Sequence, residues 1–266
     1  MRKVRLELLR PDEIIREKSR FPVVYLPIGP LEWHGPHLAI GMDPLNAEFI
    51  SRKVAEKIGG VVLPTFFWGT ERERSPEMLK SIGLNEEAWI VGMDFPANTV
   101  ESFYIKEDIF GVAVREYLRI LTRQKYKLIV IVNGHGAENH INVLRRLAKE
   151  FTAETDSTVL YTMAITAIEE NAQSFGHATK AETSILSYIN TDCVDISTLP
   201  EKDKKLRNVE YAIVDGETFD GNPNIDFTVR EDPRDASIEY GRKLIERSIT
   251  QISNLVLETW SEMEKA

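Results

Sequence analysis

The sequence predicts an α/β fold in three layers, with helices on both faces of a largely parallel central sheet. Short apolar runs alternate with longer amphipathic stretches along the 266 residues, a pattern typical of strand–helix–strand units. Residues 23–28 and 128–132 are almost entirely apolar, which indicates strands that are buried on both faces, as in parallel sheets. No composition shift, internal repeat or low-complexity tract marks a boundary in the sequence, so residues 1–266 are expected to form a single domain.

The first half of the chain predicts two strands joined by an amphipathic helix. The first strand covers residues 23–28 and the second covers residues 61–67. Between them, the apolar residues of 43–58 recur at a helical spacing and share one face. Gly59 and Gly60 then end the helix, because glycine tolerates the positive φ that is common at a helix C-terminus.

The second half of the chain continues this alternation and ends in a long helix. The predicted elements are helices over residues 109–121, 137–152 and 181–189 and strands over residues 128–132 and 159–164. Pro233 and Asp235 are typical of the start of a helix, which then extends to Val256. The interval 200–235 is rich in Asp, Asn, Gly and Pro, which predicts a long connection containing one or two short strands.

Charge and composition exclude several classes of protein. The formal net charge of −9 argues against nucleic acid as a partner, since a polyanion requires clustered Lys and Arg. Cys193 is the only cysteine, so neither an intramolecular disulfide nor a cysteine-based zinc site is expected. The apolar run 128–132 is far shorter than the roughly 20 residues that span a bilayer, and residues 1–20 contain no signal-peptide core. We therefore expect a soluble, cytoplasmic protein without membrane partners.

The five histidines of the chain fall into three segments, and the first segment follows a predicted strand. Glu32 and His34 lie two residues apart, so an extended backbone would point both side chains in the same direction. A carboxylate and an imidazole that converge in this way form a clamp for a divalent metal ion. Asp43 follows at the start of a predicted helix. In the alternative interpretation, Asp43 only caps that helix and His34 is a hydrogen-bonded core residue.

The second histidine segment follows another fully apolar strand. Gly134 and Gly136 flank His135, which allows a sharp turn that exposes the imidazole at the carboxyl end of the strand. Ligands of open α/β sheets bind at this edge, and the first segment follows a strand that ends there too. The third segment supplies His177 as a candidate acid or base and Glu182 as a further carboxylate. Acidic residues are, however, also common at helix N-termini without any catalytic role.

The assembled side chains suit divalent transition metals. They comprise the three carboxylates of Glu32, Asp43 and Glu182 and the two imidazoles of His34 and His135, with no thiolate. This set of ligands suits Zn²⁺, Mn²⁺ or Fe²⁺. Three carboxylates carry more negative charge than one divalent ion requires, which favours two ions with Asp43 as the bridging ligand. Two ions about 3.5–4 Å apart can activate a water molecule and polarise a carbonyl together.

At these residues the sequence resembles the creatininase (creatinine amidohydrolase) family. The first motif of that family, approximately Gly-x-x-Glu-x-His-Gly-Pro-His-Leu-Pro-x-x-x-Asp, corresponds to residues 29–43. The Asn-Gly-His-Gly motif corresponds to residues 133–136, and the His-Ala-x-x-x-Glu-Thr-Ser motif to residues 177–184. Weaker similarities lie at residues 68–70, 95–100 and 240–242. The motifs run in family order from about residue 20 to about residue 250, so the resemblance covers nearly the whole chain.

The resemblance implies a two-metal hydrolase that usually forms a homohexamer. The implied ligands are Glu32, Asp43 and His135 for one ion and His34, Asp43 and a further carboxylate for the other. In most members that carboxylate is the Glu of the third motif, here Glu182. Creatininase proper instead uses a Glu shortly after the Asn-Gly-His histidine, and Glu138 lies one residue beyond that position. His177 would lie over the substrate and move a proton.

The resemblance further implies that a water bridging two divalent ions attacks the carbonyl of a small cyclic amide, formamide or related compound. Trp33 replaces the common Gln of the first motif, and Ala39 replaces a Pro. Creatininase proper encloses creatinine with tryptophans near its third motif, and residues 161–177 contain none here, so creatinine is not the expected substrate. Trp33, Trp68 and His37 are the candidate substrate-binding residues.

Two alternatives remain open from the sequence. The same metals would also serve a hydrolase that opens the ring of an inositol-derived cyclic diketone at a carbon–carbon bond. Polar groups in the pocket, for which residues 71–74 are candidates, would separate this reaction from amide hydrolysis. In the second alternative, the chain is a non-catalytic ligand-binding homologue with a degenerate site.

Overall fold

A four-stranded parallel sheet forms the centre of the described part of the chain. A computed structural model describes residues 3–166, 176–207, 210–215 and 228–265. The strands are β1 (Val23–Ile28), β2 (Val61–Val62), β3 (Leu128–Asn133) and β4 (Thr158–Met163). Their order across the sheet is β2-β1-β3-β4. β1 and β3 are therefore neighbours, with Ile28 opposite Asn133 at their carboxyl ends.

Helices cover both faces of this sheet. Their bounds are α1 (Pro11–Arg20), α2 (Met42–Ile58), α3 (Pro76–Ser81), α4 (Glu107–Arg123), α5 (Glu138–Glu154), α6 (Lys180–Ile189) and α7 (Ile238–Met263). On one face α2 contacts β1 and β3, and α6 and α7 pack beside it. On the other face lie α4 and α5. This arrangement confirms the predicted three-layer α/β fold.

The apolar sequence of β1 follows from its position between these two layers. Side chains of a strand point alternately to opposite faces. Val23 and Tyr25 accordingly pack into the core beneath α2, α6 and α7, whereas Val24 and Leu26 pack into the core beneath α4 and α5. All four are completely buried. Burial of each aliphatic side chain contributes roughly 1.5–3 kcal/mol, so both faces of the strand stabilise the fold.

Two predicted element boundaries are wrong. The strand expected over residues 61–67 is limited to β2. Leu63 still donates its N–H to the carbonyl of Tyr25, but the next N–H that reaches β1 is that of Phe66, one residue later than a regular ladder requires, so Phe66 makes only a single bridge to Ile28. Pro233–Asp235 forms a short 3-10 turn rather than the start of the C-terminal helix. That helix begins three residues later, where the hydroxyl of Ser237 accepts the N–H of Tyr240.

The remaining differences concern segments between the core elements. The helices α1 and α3 were not predicted by the periodicity of the sequence. In the interval 200–235 the described residues contain isolated bridges, from Val214 to His177 and from Arg207 to Thr228, in place of the expected short strands. Residues 208–209 and 216–227 of that interval lie outside the described residues. Among the helices described, none has the length and apolar character needed to cross a bilayer.

Candidate metal centre

The carboxyl ends of β1 and β3 bring the first two histidine segments together. The N–H of Gly134, directly after β3, donates to the carbonyl of Ile28 at 2.9 Å. A Cβ at position 134 would overlap the carbonyl oxygen of Asp43, so only glycine lets the start of α2 pass this close to the turn. Asp43 does not cap α2, because the N-cap residue is Gly41 and no side chain caps the helix there. The interpretation of Asp43 as an N-cap is therefore wrong.

His34 is held with one ring nitrogen facing a group of carboxylates. Its Nδ1 lies 3.0 Å from the carbonyl oxygen of Glu32, which can only accept, so Nδ1 carries a proton and Nε2 has the lone pair that can take up either a second proton or a metal ion. Oxygens of Asp43, Glu32 and Glu182 lie 3.4, 3.8 and 3.8 Å from Nε2. This buried nitrogen has no hydrogen-bond partner among the described residues. Such a lone pair, surrounded by carboxylate oxygens, fits a divalent cation.

His135 faces the same carboxylates from the other side. Its Nδ1 lies 3.0 Å from Oδ2 of Asp43 and 3.2 Å from Oε2 of Glu32. The closest contact of Asp43 to His34 is instead made by Oδ1. The two carboxylate oxygens of Asp43 are thus divided between two imidazoles, as they would be in a residue that bridged two ions.

Two overlapping groups of ligand atoms result, and Asp43 belongs to both. In each group the ligand atoms lie within 4.8 Å of one another; the groups are Glu32, Asp43 and His135, and His34, Asp43 and Glu182. A third group of the same dimensions joins Glu32 and His34 with His177. All of these side chains are at least four-fifths buried. Buried like charges at these separations are costly unless a cation compensates them, so the residues fit a divalent metal centre.

The structure distinguishes between the positions of Glu182 and Glu138. Glu182 lies in the first turn of α6, where its Oε2 accepts the N–H of Ala178 and lies 3.8 Å from Nε2 of His34. Glu138 begins α5, and its side chain is 65% exposed and forms an ion pair with Arg72 at 2.6 Å. Glu182 therefore joins the carboxylate–imidazole cluster, and Glu138 does not.

His177 lies beside the cluster in a fixed orientation. Its Nε2 donates to the carbonyl oxygen of Trp33 at 2.6 Å, which leaves Nδ1 unprotonated and 3.9 Å from Oε2 of Glu32. The ring centroid lies 4.3 Å from that of His34. Burial and the neighbouring charge of His34 lower the pKa of His177 to about 3. His177 is therefore neutral, with a lone pair directed toward the carboxylates.

The carboxylates dominate the electrostatics of the site. Burial alone would lower the pKa of His34, but Asp43, Glu182 and Glu32 outweigh it and raise that pKa to about 10. Burial also raises the pKa of Glu182 to about 7, although the charge of His34 opposes this shift. The protein thus concentrates negative charge in a buried volume where a metal ion can replace the imidazole proton.

The three residues predicted to bind substrate lie in different environments. The indole N–H of Trp33 donates to the carbonyl of Tyr211 at 3.0 Å. Trp68 is 43% exposed and packs on Phe66, with ring centroids 5.0 Å apart. His37 is buried, and its Nε2 donates to Thr183 Oγ1 at 3.0 Å, because that hydroxyl itself donates to a backbone carbonyl. Trp33 and His37 thus lie close in sequence to His34 and are held by hydrogen bonds to Tyr211 and Thr183. Trp68 instead lies at the surface.

The sequence did not reveal two residues that orient the metal-ligand candidates. The hydroxyl of Tyr104 donates to Oε1 of Glu32 and accepts the N–H of Met93 at 3.2 Å. The side chain of Asn133 closes the turn around His135, donating to its carbonyl at 2.7 Å and accepting its N–H at 3.0 Å. Asn133 belongs to a recognisable motif, which was the available signal. Tyr104 lies in no motif and reaches Glu32 across 72 positions of sequence, so no local pattern could reveal it.

Comparison with known proteins gives similarities along most of the chain. The family model for creatininase, described as creatinine amidohydrolase, matches residues 7–256. The curated creatinine amidohydrolase of Pseudomonas putida is 30% identical over 113 residues. That matched segment covers 42% of this chain and 37% of the length of the relative.

Solved structures share the fold over nearly their full length. A structure described as the manganese form of creatininase has a TM-score of 0.68 at 20% identity, covering 97% of this chain and 99% of that one. A mutant creatininase of the Zn-Zn type has a TM-score of 0.67 at 20% identity, with the same coverage. Because the family model spans all but the two ends of the sequence, from before β1 into α7, this chain belongs to the creatininase family.

Proposed function

We propose that this chain is a metal-dependent amidohydrolase that hydrolyses a small cyclic amide, a formamide or a related carbonyl compound. The observation that carries the proposal is the division of the two Asp43 oxygens between His34 and His135. This geometry suits two ions that act on one carbonyl. Membership of a family described as amidohydrolases supports the class of reaction.

Two divalent ions, zinc, manganese or iron, are the proposed cofactors. The ligands would be Glu32, Asp43 and His135 for the first ion and His34, Asp43 and Glu182 for the second. When bound, such ions supply Lewis acidity that polarises a carbonyl and lowers the pKa of water. The manganese and zinc forms of the related structures support this choice of metals.

His177 is the proposed proton carrier. Because the Trp33 carbonyl holds Nε2–H, the free lone pair at Nδ1 is the atom that would take a proton from the attacking water. Its pKa of about 3 means that it would hold this proton only briefly before delivering it to the leaving nitrogen. Tyr104 keeps Glu32 oriented through its hydroxyl, so the carboxylate does not rotate during the reaction. His177 and Glu32 are both buried, so their surroundings exclude bulk water from the proton transfer.

Creatinine itself is not the proposed substrate. Residues 161–177 contain no tryptophan to enclose it, and Trp33 occupies a position where the family commonly has Gln. We propose that Trp33, Trp68 and His37 contribute to a substrate pocket of different shape. Glu71 and Arg74, considered as pocket groups, form a buried ion pair at 2.9 Å, so their charges are directed to each other. This ion pair therefore gives no reason to favour the opening of a cyclic diketone over amide hydrolysis.

The protein is also proposed to work as a single-domain subunit of a homo-oligomer, with six copies by family resemblance. Several large apolar side chains are exposed on one subunit; they include Trp89, Val100, Phe103, Ile109 and Val112. Burial of such side chains between copies would stabilise an assembly. A cytoplasmic location and the absence of nucleic-acid partners remain predictions from composition. Sedimentation equilibrium tests the subunit count.

The first test is the metal content of protein purified without chelator. We expect about two ions per chain in the wild type and in Glu138→Ala, and about one in Glu182→Ala. Glu138→Ala is the matched control, because it removes a carboxylate of the same type from the surface. Substrate screening would then begin with cyclic amides, formamides and cyclic diketones. Protein that binds no ion after incubation with zinc, manganese or iron would favour the non-catalytic binding homologue.

A further inference from the structure

His140 has no place in the proposed metal site or in proton transfer, yet it is completely buried beside them. It lies in the first turn of α5, five residues after His135. Its ring stacks on Phe110, with centroids 4.5 Å apart, and meets the ring of His135 edge-on at 5.1 Å. A polar ring in such a position requires partners for both of its nitrogens.

The partners of His140 define its tautomer. The backbone N–H of Thr70 can only donate, so His140 Nδ1, at 3.3 Å, must accept. The single proton of the neutral ring therefore lies on Nε2, which is 3.0 Å from Oδ1 of Asn133 and donates to it. This assignment follows from the fixed polarity of a backbone amide.

The same polarity fixes the side-chain amide of Asn133. Since its Oδ1 receives the proton of His140, its Nδ2 must point the other way, toward the carbonyl of His135 at 2.7 Å. A reversed amide would place two donors against each other in a buried site. The hydrogen bonds thus run in one direction from Thr70 through His140 and Asn133 to the backbone of His135.

The backbone at Thr70, where this series of hydrogen bonds begins, is also held in place. Gly69, which precedes Thr70, lies so close to Pro30 that a Cβ there would be 2.6 Å from Cδ of the proline. The backbone of residues 68–70 is therefore pressed against the segment that leads to Glu32. This contact gives a physical reason for the weak family similarity at residues 68–70, because it holds the Thr70 N–H in position to donate to His140.

We propose that His140 is a positioning residue for the metal centre, which fixes through Asn133 the turn that presents the His135 imidazole to Asp43. The inference rests on the proposed metal site. Partners that orient a metal ligand typically change affinity by about 10- to 100-fold when they are removed. A histidine that merely filled the core would influence stability without this effect on metal binding.

Two variants separate the two hydrogen bonds of His140. Gln at this position places an amide N–H near the site of Nε2, so His140→Gln retains the donor to Asn133. Asn places its oxygen near the site of Nδ1, so His140→Asn retains the acceptor for Thr70 but does not reach Asn133. Both variants lose the stacking on Phe110. Phe110→Leu is the control that loosens this packing and leaves both hydrogen bonds in place.

The measurement is the affinity of the full-length protein for Zn²⁺, by competition with a chromophoric chelator, together with the melting temperature without metal. We expect His140→Asn to weaken the binding of one ion by about 10- to 100-fold, and His140→Gln and Phe110→Leu to bind nearly as the wild type. Equal affinity in all four proteins, or losses that follow the melting temperature, would overturn the positioning role. A wild type that binds no Zn²⁺ would instead overturn the proposed function.

The tautomer provides a test that needs no variant. Long-range proton–nitrogen NMR spectra of the wild type should show the His140 proton on Nε2 and an unprotonated Nδ1. A proton on Nδ1 would contradict the direction of the hydrogen-bond chain, even if the His140 variants do not fold.

Discussion

The backbone of Gly134 lies against the carbonyl of Asp43 so closely that no side chain fits between them. This contact joins the end of β3 to the start of α2, two elements that are far apart in sequence. It places Nδ1 of His135 3.0 Å from Oδ2 of Asp43. The distance between two proposed metal ligands is thus set by a backbone contact rather than by the flexibility of either side chain.

We expect Gly134→Ala to disturb the metal centre as well as the fold. The added methyl group must displace α2 or the turn, and overpacking of this type typically costs about 1–3 kcal/mol. Urea denaturation gives the loss of stability, and elemental analysis gives the metal content. Gly136→Ala is the control, because a Cβ there meets no atom within 4 Å. A fully metallated and stable Gly134→Ala protein would show that the contact is not essential.

Asp43→Ala should remove both ions, because each proposed group of ligands includes this residue. Removal of His135 should instead leave the ion held by His34 and Glu182. The ratio of metal to protein after extensive dialysis distinguishes these results. Asp108→Ala, an exposed substitution at the start of α4, provides the control for loss of one carboxylate. Retention of one tightly bound ion by Asp43→Ala would argue against a bridging role.

Residues that follow buried strands were the part of the site that the sequence could predict. The continuous apolar runs located β1 and β3, and parallel strands end at a common edge, so Glu32, His34 and His135 could be expected to meet there. The boundary of β2 could not be predicted from hydrophobicity, because residues 61–67 remain largely apolar beyond the point where an extra residue before Phe66 breaks the register with β1. The apolar runs therefore predicted the positions of the strands more accurately than the residues at which the strands end.

The orienting residues escaped prediction for a different reason. Tyr104 and Thr70 both come from the long connection between β2 and α4, and each contacts the site across about 70 positions of sequence. Their partners are determined by tertiary packing, which no periodicity encodes. The sequence also could not decide whether Glu138 or Glu182 is the additional carboxylate of the site. That depends on where each side chain points: Glu138 points to solvent and Glu182 points to His34.

Tyr104→Phe should weaken metal binding while changing the fold little. The substitution removes the hydroxyl that donates to Glu32 and accepts the N–H of Met93, while the ring remains packed. The carboxylate of Glu32 then becomes free to rotate. We expect a loss of about 10- to 100-fold in affinity for one ion, measured by chelator competition. Tyr117→Phe, at a partly exposed tyrosine of α4, should bind metal as the wild type does. Equal affinities of the two variants would assign no orienting role to Tyr104.

The metal-free protein should lose stability as the pH rises above neutrality. The carboxylates that face His34 raise its folded-state pKa to about 10, above the ordinary value of 6.5. Its protonated form therefore stabilises the folded state fully below about pH 6.5, and this contribution is lost as the pH rises through about 10. Through His34 alone, the free energy of unfolding should fall by up to about 1.4 kcal/mol per pH unit between about pH 7 and about pH 9.

Metal should abolish this slope, because a bound ion takes the place of the proton on Nε2 of His34. Chemical denaturation of the chelated and the metal-saturated protein at several pH values measures both slopes. His34→Gln, which cannot be protonated in this range, is the control and should show a shallower profile without metal. The slope that remains comes from His135, because Glu32 and Asp43 outweigh burial and raise its pKa well above the ordinary value. His37 also titrates but contributes nothing above neutrality, since burial lowers its pKa to about 4. A slope in His34→Gln as steep as that of the wild type would mean that His34 contributes nothing to the pH dependence.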